Sequence, residues 1–348
     1  MSKFNLGQYR TSRKSLWLAF LLAGVLLYLA LRGVAWGEML GTVRQARLDY
    51  LTLACVTLSV SYFLRGLRWR VLLSAGKPVS ALTAFWATLV GYLGNSLLPA
   101  RAGEVMRSMM ISRHAGLSNS YVFATALTER ILDVVALVMI SLAALMSLDG
   151  MPPWLLKASQ VMTVLGLVCV AGLFIAPRLD GWLDRLLHWL PLPGGLRERV
   201  RGLLTQFLLG MRAFQHGRRA VSFTVLAVVI WLMDALVAVW VANALNLQLA
   251  FPEALVLLAA LGLASAAPST PGYVGVYQFV AVTILAPFGF SRNQSLAYIL
   301  TFQAVCYVVV LSLGAVGLWQ LSERRSPTSA QPVAESLDGD LKAALLND

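Results

Sequence analysis

Long, nearly uncharged stretches alternate with short basic ones along the chain. Leu16–Leu31 and Tyr50–Leu64 read as two spans, the second brought back to the cytoplasm by Arg65, Arg68 and Arg70. Ile131–Leu148, Gln160–Ala176, Val221–Leu245 and Ser295–Leu321 can each cross about 30 Å of hydrocarbon as a helix. The first run follows Lys3, Arg10, Arg13 and Lys14 and is followed by RGVAWGEML, which lacks a small-x-small cleavage pattern. It therefore reads as a retained span with a cytoplasmic N-terminus.

Two further apolar stretches are interrupted. Ala81–Pro99 ends in NSLLPARAGE and continues as amphipathic sequence to Arg113. Glu253–Ala267 ends in PSTPGYVG and resumes as Val276–Phe288. Proline and glycine at such points break a helix, and lipid cannot satisfy the freed backbone groups, so the breaks must face protein or water. Both stretches read as re-entrant. With that assignment 23 of the 28 Lys and Arg fall on the cytoplasmic side, in keeping with the positive-inside bias.

The predicted order is span, span, re-entrant stretch and span, repeated once with opposite orientation. The fold class expected is an all-α polytopic membrane protein of about six transmembrane helices plus two re-entrant pairs, arranged as an inverted repeat. Its parts are a basic N-terminus (1–15), a first membrane repeat (re-entrant about 81–128) within 16–176, and a basic linker (177–220). The first span of the second repeat lies at 160–176, and the remainder at 221–321 (re-entrant about 253–288). In the linker, apolar residues from Leu196 to Phe214 follow helical spacing opposite Arg197, Arg199 and Arg201, as in an interfacial helix on anionic lipid. The tail, 322–348, has a disordered composition.

Composition agrees: 58% of residues are hydrophobic, 13% are charged and mean hydropathy is +0.72. Ordinary soluble domains have about 25% charged residues. This excludes a water-soluble enzyme, a disordered chain and a nucleic-acid-binding module, and makes the net charge of +12 first a statement about topology. Cys55, Cys169 and Cys306 lie in apolar runs without paired spacing, and His114, His188 and His216 are scattered. No disulfide framework, metal or cofactor is expected.

Charged residues at membrane depth cost on the order of 2.5–3.5 kcal/mol and mark candidate sites. Around the first break stand Asn95, Pro99, Arg101, Gly103, Glu104 and Arg107. Glu104 and Arg107 can pair at i,i+3, and Arg101 is free to meet a ligand; the other reading is a salt-bridged interfacial helix. Glu129, Arg130 and Asp133 begin the fourth run. The two carboxylates either share a proton, serving proton coupling or amine binding, or are neutralised by arginines of the first break. Asp234, isolated in its span, needs a partner, expected to be an arginine of the first break, and is either a proton carrier or a buried counter-ion. In the second break, Pro268, Ser269, Thr270, Pro271, Gly272 and Gly275 precede a half-helix whose N-terminus suits a phosphate; the alternative is a simple kink.

The strings RGLRW (65–69), GNSLLPARAGEVMR (94–107), TERILDVVAL (128–137) and PSTPGYVGVYQF (268–279) together resemble the lysylphosphatidylglycerol synthase transmembrane-region family of flippase-like proteins. The resemblance extends over most of residues 15–320. It implies roles for Asn95, Pro99, Arg101, Gly103, Glu104, Arg107, Glu129, Arg130, Asp133, Pro268, Pro271, Gly272 and Gly275. The family usually has glycine where Tyr273 stands and often glutamate where Gln278 stands; a glutamine cannot release a proton. Only 27 residues follow Leu321, so no aminoacyl-transfer domain is expected there.

The resulting expectation is a bacterial inner-membrane lipid flippase with both termini cytoplasmic, moving a phosphate-bearing lipid by alternating access. Arg101, Arg107, Arg130 and the second break, with Ser269 and Thr270, would hold the headgroup. Glu104, Glu129, Asp133 and Asp234 would pair charges or carry a proton or amine. Membrane lipids are the expected partners, with no nucleic acid. The alternatives are a scaffold for a lipid-modifying enzyme and a membrane enzyme acting on a lipid phosphate.

Overall fold

The computed structural model describes residues 36–74, 76–98, 102–147, 153–175, 217–265 and 271–323, with isolated positions outside these ranges. All regular secondary structure among them is helical. The chain runs through α1 (Trp36–Arg44), α2 (Leu48–Leu73), α3 (Ala81–Leu97), α4 (Ala102–Ala115), α5 (Asn119–Met146) and α6 (Pro153–Ile175). It continues through α7 (Gly217–Ala244), α8 (Phe251–Ala264), α9 (Val276–Leu285) and α10 (Arg292–Glu323). The first expected span, nearly all of the linker and the C-terminal tail lie outside the described residues.

By length and composition α2, α7 and α10 are candidate membrane spans. Their outer faces are apolar: Leu53, Val56 and Val60 on α2, and Val221, Val225 and Val228 on α7, are exposed. The buried face of α2 carries Ala54, Leu58, Ser61, Arg65, Arg68 and Leu72 at alternating spacings of three and four. This reverses the amphipathicity of a soluble surface helix: charge faces inward and hydrocarbon outward.

Two spans are longer than the charge pattern predicts. The second run was expected to end at Leu64, with Arg65, Arg68 and Arg70 as cytoplasmic anchors. Instead α2 continues to Leu73, with Arg65 and Arg68 buried. The fourth run was expected to begin at Ile131, but α5 begins at Asn119, where the Ser118 hydroxyl accepts from the Tyr121 N–H at 3.2 Å. Glu129, Arg130 and Asp133 thus lie well inside a helix rather than at its start. In both cases the helix passes through charges because partners on neighbouring helices neutralise them.

The helix breaks fall where proline and glycine place them. α3 and α4 form a tight pair. A Cβ on Gly94 would lie 2.7 Å from the Gly103 Cα, and one on Gly103 would overlap the Gly91 carbonyl oxygen. The absence of side chains there lets the two backbones touch. Between α8 and α9 the chain turns through a short 3-10 segment, Pro271–Tyr273. Gly272, Tyr273 and Gly275 all have positive φ, a conformation that favours glycine and is unusual for tyrosine. Pro99, Arg101, Pro268, Ser269 and Thr270 lie outside the described residues.

The packing pairs recur in a fixed correspondence. α2 packs along α7. α3 packs on α4, α2 and α10, while α8 packs on α9, α7 and α5. α4 packs on α5, and α9 on α10. Exchanging α2 with α7, α3 with α8, α4 with α9 and α5 with α10 maps each of these contacts onto another. The main apolar core lies between the two sets and includes Ala238 and Val241 of α7, Leu257 of α8, and Leu296 and Tyr298 of α10.

Candidate functional site: an ion-pair ring beside a polar cavity

Three helices bring six charged side chains together. Arg68 of α2 contacts Asp133 at 2.6 Å and Glu129 at 2.9 Å, both on α5. Glu129 also meets Arg107 of α4 at 2.9 Å, and Arg107 meets Glu104 at 2.7 Å. Glu104 meets Arg130 at 2.9 Å, and Arg130 returns to Asp133 at 3.4 Å. Three arginines and three carboxylates therefore alternate around a closed, formally neutral ring. Aromatic rings back it: the Arg107 guanidinium lies 4.4 Å from the Trp69 ring centre, and that of Arg68 5.1 Å from Phe223.

Burial explains the alternation. The side chains of Arg68 and Glu129 have no exposed surface, and that of Arg107 is 2% exposed. A charge so placed is tolerated only when paired and hydrogen-bonded. Of the two readings open for Glu129 and Asp133, the geometry places an arginine against each carboxylate. Arg107, expected at a headgroup, is turned between Glu104 and Glu129 and does not line the adjacent cavity.

A second pair stands apart. Arg65 of α2 donates to Asp234 of α7, whose other oxygen accepts from Ser61 Oγ at 2.6 Å. Asp234, expected to find its partner at the first break, finds it on α2. Tyr62 and Trp231 stand three residues before Arg65 and Asp234 on the same helices. The pair thus joins facing points of α2 and α7.

A cavity of about 230 Å³ lies between the ring and this pair. Its wall includes Arg65 and Asp234, Glu104 and Arg130 from the ring, and Asn95 and Ser96 at the end of α3. Ser265, Gly272, Tyr277 and Gln303 line the other side. The cavity is therefore walled by both broken helix pairs.

The second break is held by neutral groups. Gln278 accepts from the Gly275 N–H at 2.7 Å and donates to Gln303 at 2.5 Å. Gln303 donates to the Gly272 carbonyl at 3.0 Å, and the Tyr307 hydroxyl donates to the same oxygen at 2.9 Å. One N–H at the start of α9 is therefore occupied by the helix's own glutamine. Gln278 and Gln303 are 25 residues apart, as are Glu104 and Glu129. The second break thus carries an amide pair at the same spacing as two carboxylates of the ring.

Of the residues expected at the site, Asn95, Glu104, Arg130, Asp234 and Gly272 line the cavity. Arg107, Glu129 and Asp133 lie behind its wall, Gly103 at the α3–α4 contact and Gly275 at the start of α9. Sequence reasoning missed Arg65 and Arg68, which were counted as topology markers, and also Gln303 and the cavity tyrosines. The signal was present in the register of α2 against α7.

These features define a multi-pass helical membrane protein with a cavity lined by paired charges and aromatic rings. The chain belongs to the lysylphosphatidylglycerol synthase TM region family, which it matches over residues 16–314. It is 27% identical over 283 residues to the glycosyltransferase AglD of Haloferax volcanii, an alignment covering 72% of this chain and 45% of that protein. It therefore spans less than half the length of AglD. It is 21% identical to a UPF0104 membrane protein of Methanocaldococcus jannaschii, over 64% of this chain and 91% of that one. A UPF0104 membrane protein of Methanothermobacter thermautotrophicus is 22% identical over 88% of this chain and 93% of its own.

Proposed function

We propose that the protein moves a phosphate-bearing lipid across the membrane, with the headgroup in the central cavity and the tails in lipid. The observation that carries this reading is the cavity's position, between two broken helix pairs and against the Arg65–Asp234 contact. Discontinuous helices at the interface of two repeats are where secondary transporters place their substrates. The matched packing pairs and the equal 25-residue spacings support an inverted repeat. Rocking of one half against the other about the α2–α7 contact would then expose the cavity alternately.

The ion-pair ring serves as the rigid frame of the first half. Its charges pair with one another, and one of its helices, α4, is held by its close approach to α3. The second half is pinned by hydrogen bonds between neutral groups, which exchange partners at lower cost than buried ions. This asymmetry makes the second break the moving wall. The family name, which includes a lysylphosphatidylglycerol synthase, and the UPF0104 membrane relatives support work in the membrane.

The test is translocation of short-chain fluorescent phospholipids and of extracted cell lipids in proteoliposomes. Wild type accelerates lipid movement between leaflets. Ser265→Trp, which fills the cavity from the end of α8, abolishes the acceleration while leaving the protein monodisperse. Equal transport by this variant, or no transport of any cell lipid by the wild type, contradicts the reading.

A further inference from the structure

The chemistry of the cavity wall narrows what enters it. Its described charges balance: Arg65 and Arg130 face Asp234 and Glu104, and each guanidinium already contacts a carboxylate. A phosphate placed here would meet two carboxylates, and an ammonium two guanidinium groups. Neither ion finds an uncompensated counter-charge among these residues.

Two buried N–H donors on this wall nevertheless have no partner. They are Arg65 Nε and Trp231 Nε1, on side chains of residues 7% and 8% exposed. The Arg65 guanidinium carbon lies 5.1 Å from the Trp231 ring centre, so the two side chains are neighbours. Buried polar groups are ordinarily satisfied, so two such donors on neighbouring side chains of one cavity wall point to a ligand that accepts hydrogen bonds.

The rest of the wall is largely aromatic. Tyr62 and Tyr92 lie 5.1 Å apart, and Tyr273 and Tyr277 are stacked at 4.9 Å. All four line the cavity, as does Trp231. At roughly 30 Å³ per water the volume equals about eight waters, the scale of one six-membered ring with its hydroxyls.

We propose that the cavity binds an uncharged polyhydroxyl group, a sugar ring or comparable polyol, through Arg65 Nε and Trp231 Nε1. A hydroxyl oxygen accepts hydrogen bonds, so neighbouring hydroxyls of one such group satisfy both donors at once. Its C–H faces lie against the tyrosine rings. The inference rests on the cavity being the headgroup site: the polyol part of the headgroup enters the cavity, and the lipid's phosphate stays outside it.

The experiment uses the full chain in nanodiscs and three water-soluble probes with the same tail: hexyl β-glucoside, hexyl phosphate and hexyltrimethylammonium. Binding is read by calorimetry. The glucoside binds saturably, and each ionic probe binds at least tenfold more weakly. Trp231→Phe keeps the ring but removes the donor; it melts like the wild type and binds the glucoside about tenfold more weakly. If that variant misfolds, the ranking of the three probes on wild type decides alone. Equal or tighter binding of either ion, no binding of the glucoside, or full affinity in folded Trp231→Phe overturns the proposal. Lipid transport without glucoside binding overturns this inference alone; loss of transport contradicts the proposed function as well.

Discussion

Glu129 shows how a carboxylate lives in this membrane protein. It has no exposed surface and receives a charge-assisted hydrogen bond from Arg68 and another from Arg107, each at 2.9 Å. Removing one member of a buried ionic network leaves the others uncompensated, at about 3–5 kcal/mol. Glu129→Gln is therefore expected to destabilise the protein by about that amount, read as a lower midpoint in detergent unfolding. Glu129→Gln combined with Arg107→Met is expected to cost less than the two single changes summed, because the pair leaves no lone guanidinium at that point. The spacing of Glu129 and Asp133 on one helical face was legible in the sequence. Their partner Arg68 was not, because it lies 61 and 65 residues away and its charge also suits a membrane boundary.

At the scale of elements, α2 and α7 pack along each other and are joined by Arg65 and Asp234. In an inverted repeat these two positions are equivalent, so exchanging them should rebuild the pair in mirror order. Arg65→Asp and Asp234→Arg are each expected to prevent stable folding, by placing two like charges together in a buried site. The double exchange should recover a folded, monodisperse protein, somewhat less stable than wild type because Ser61 then faces an arginine. Thermal melting of the purified variants checks this; a double variant no better than either single would contradict the equivalence. The breaks between α3 and α4 and between α8 and α9 were legible because proline and glycine act locally on the backbone. The far ends of α2 and the near end of α5 were not, since charge there was assigned to water when it is neutralised by another helix.

At the scale of the whole molecule, the alternation of apolar and basic stretches made the membrane class plain. The cavity was legible only as two suspected breaks, and its tyrosines and amides emerge only once the helices are packed. The central claim is that this cavity opens alternately to the two sides of the membrane. Ser96 lines it, and its hydroxyl bonds only within its own helix, to the Tyr92 carbonyl at 3.0 Å. The most direct measurement introduces Ser96→Cys in a chain whose Cys55, Cys169 and Cys306 are replaced by alanine. A membrane-impermeant maleimide is then applied to right-side-out and to inside-out vesicles. The account predicts labelling of that cysteine from both sides, each blocked by Ser265→Trp; labelling from one side alone would contradict it.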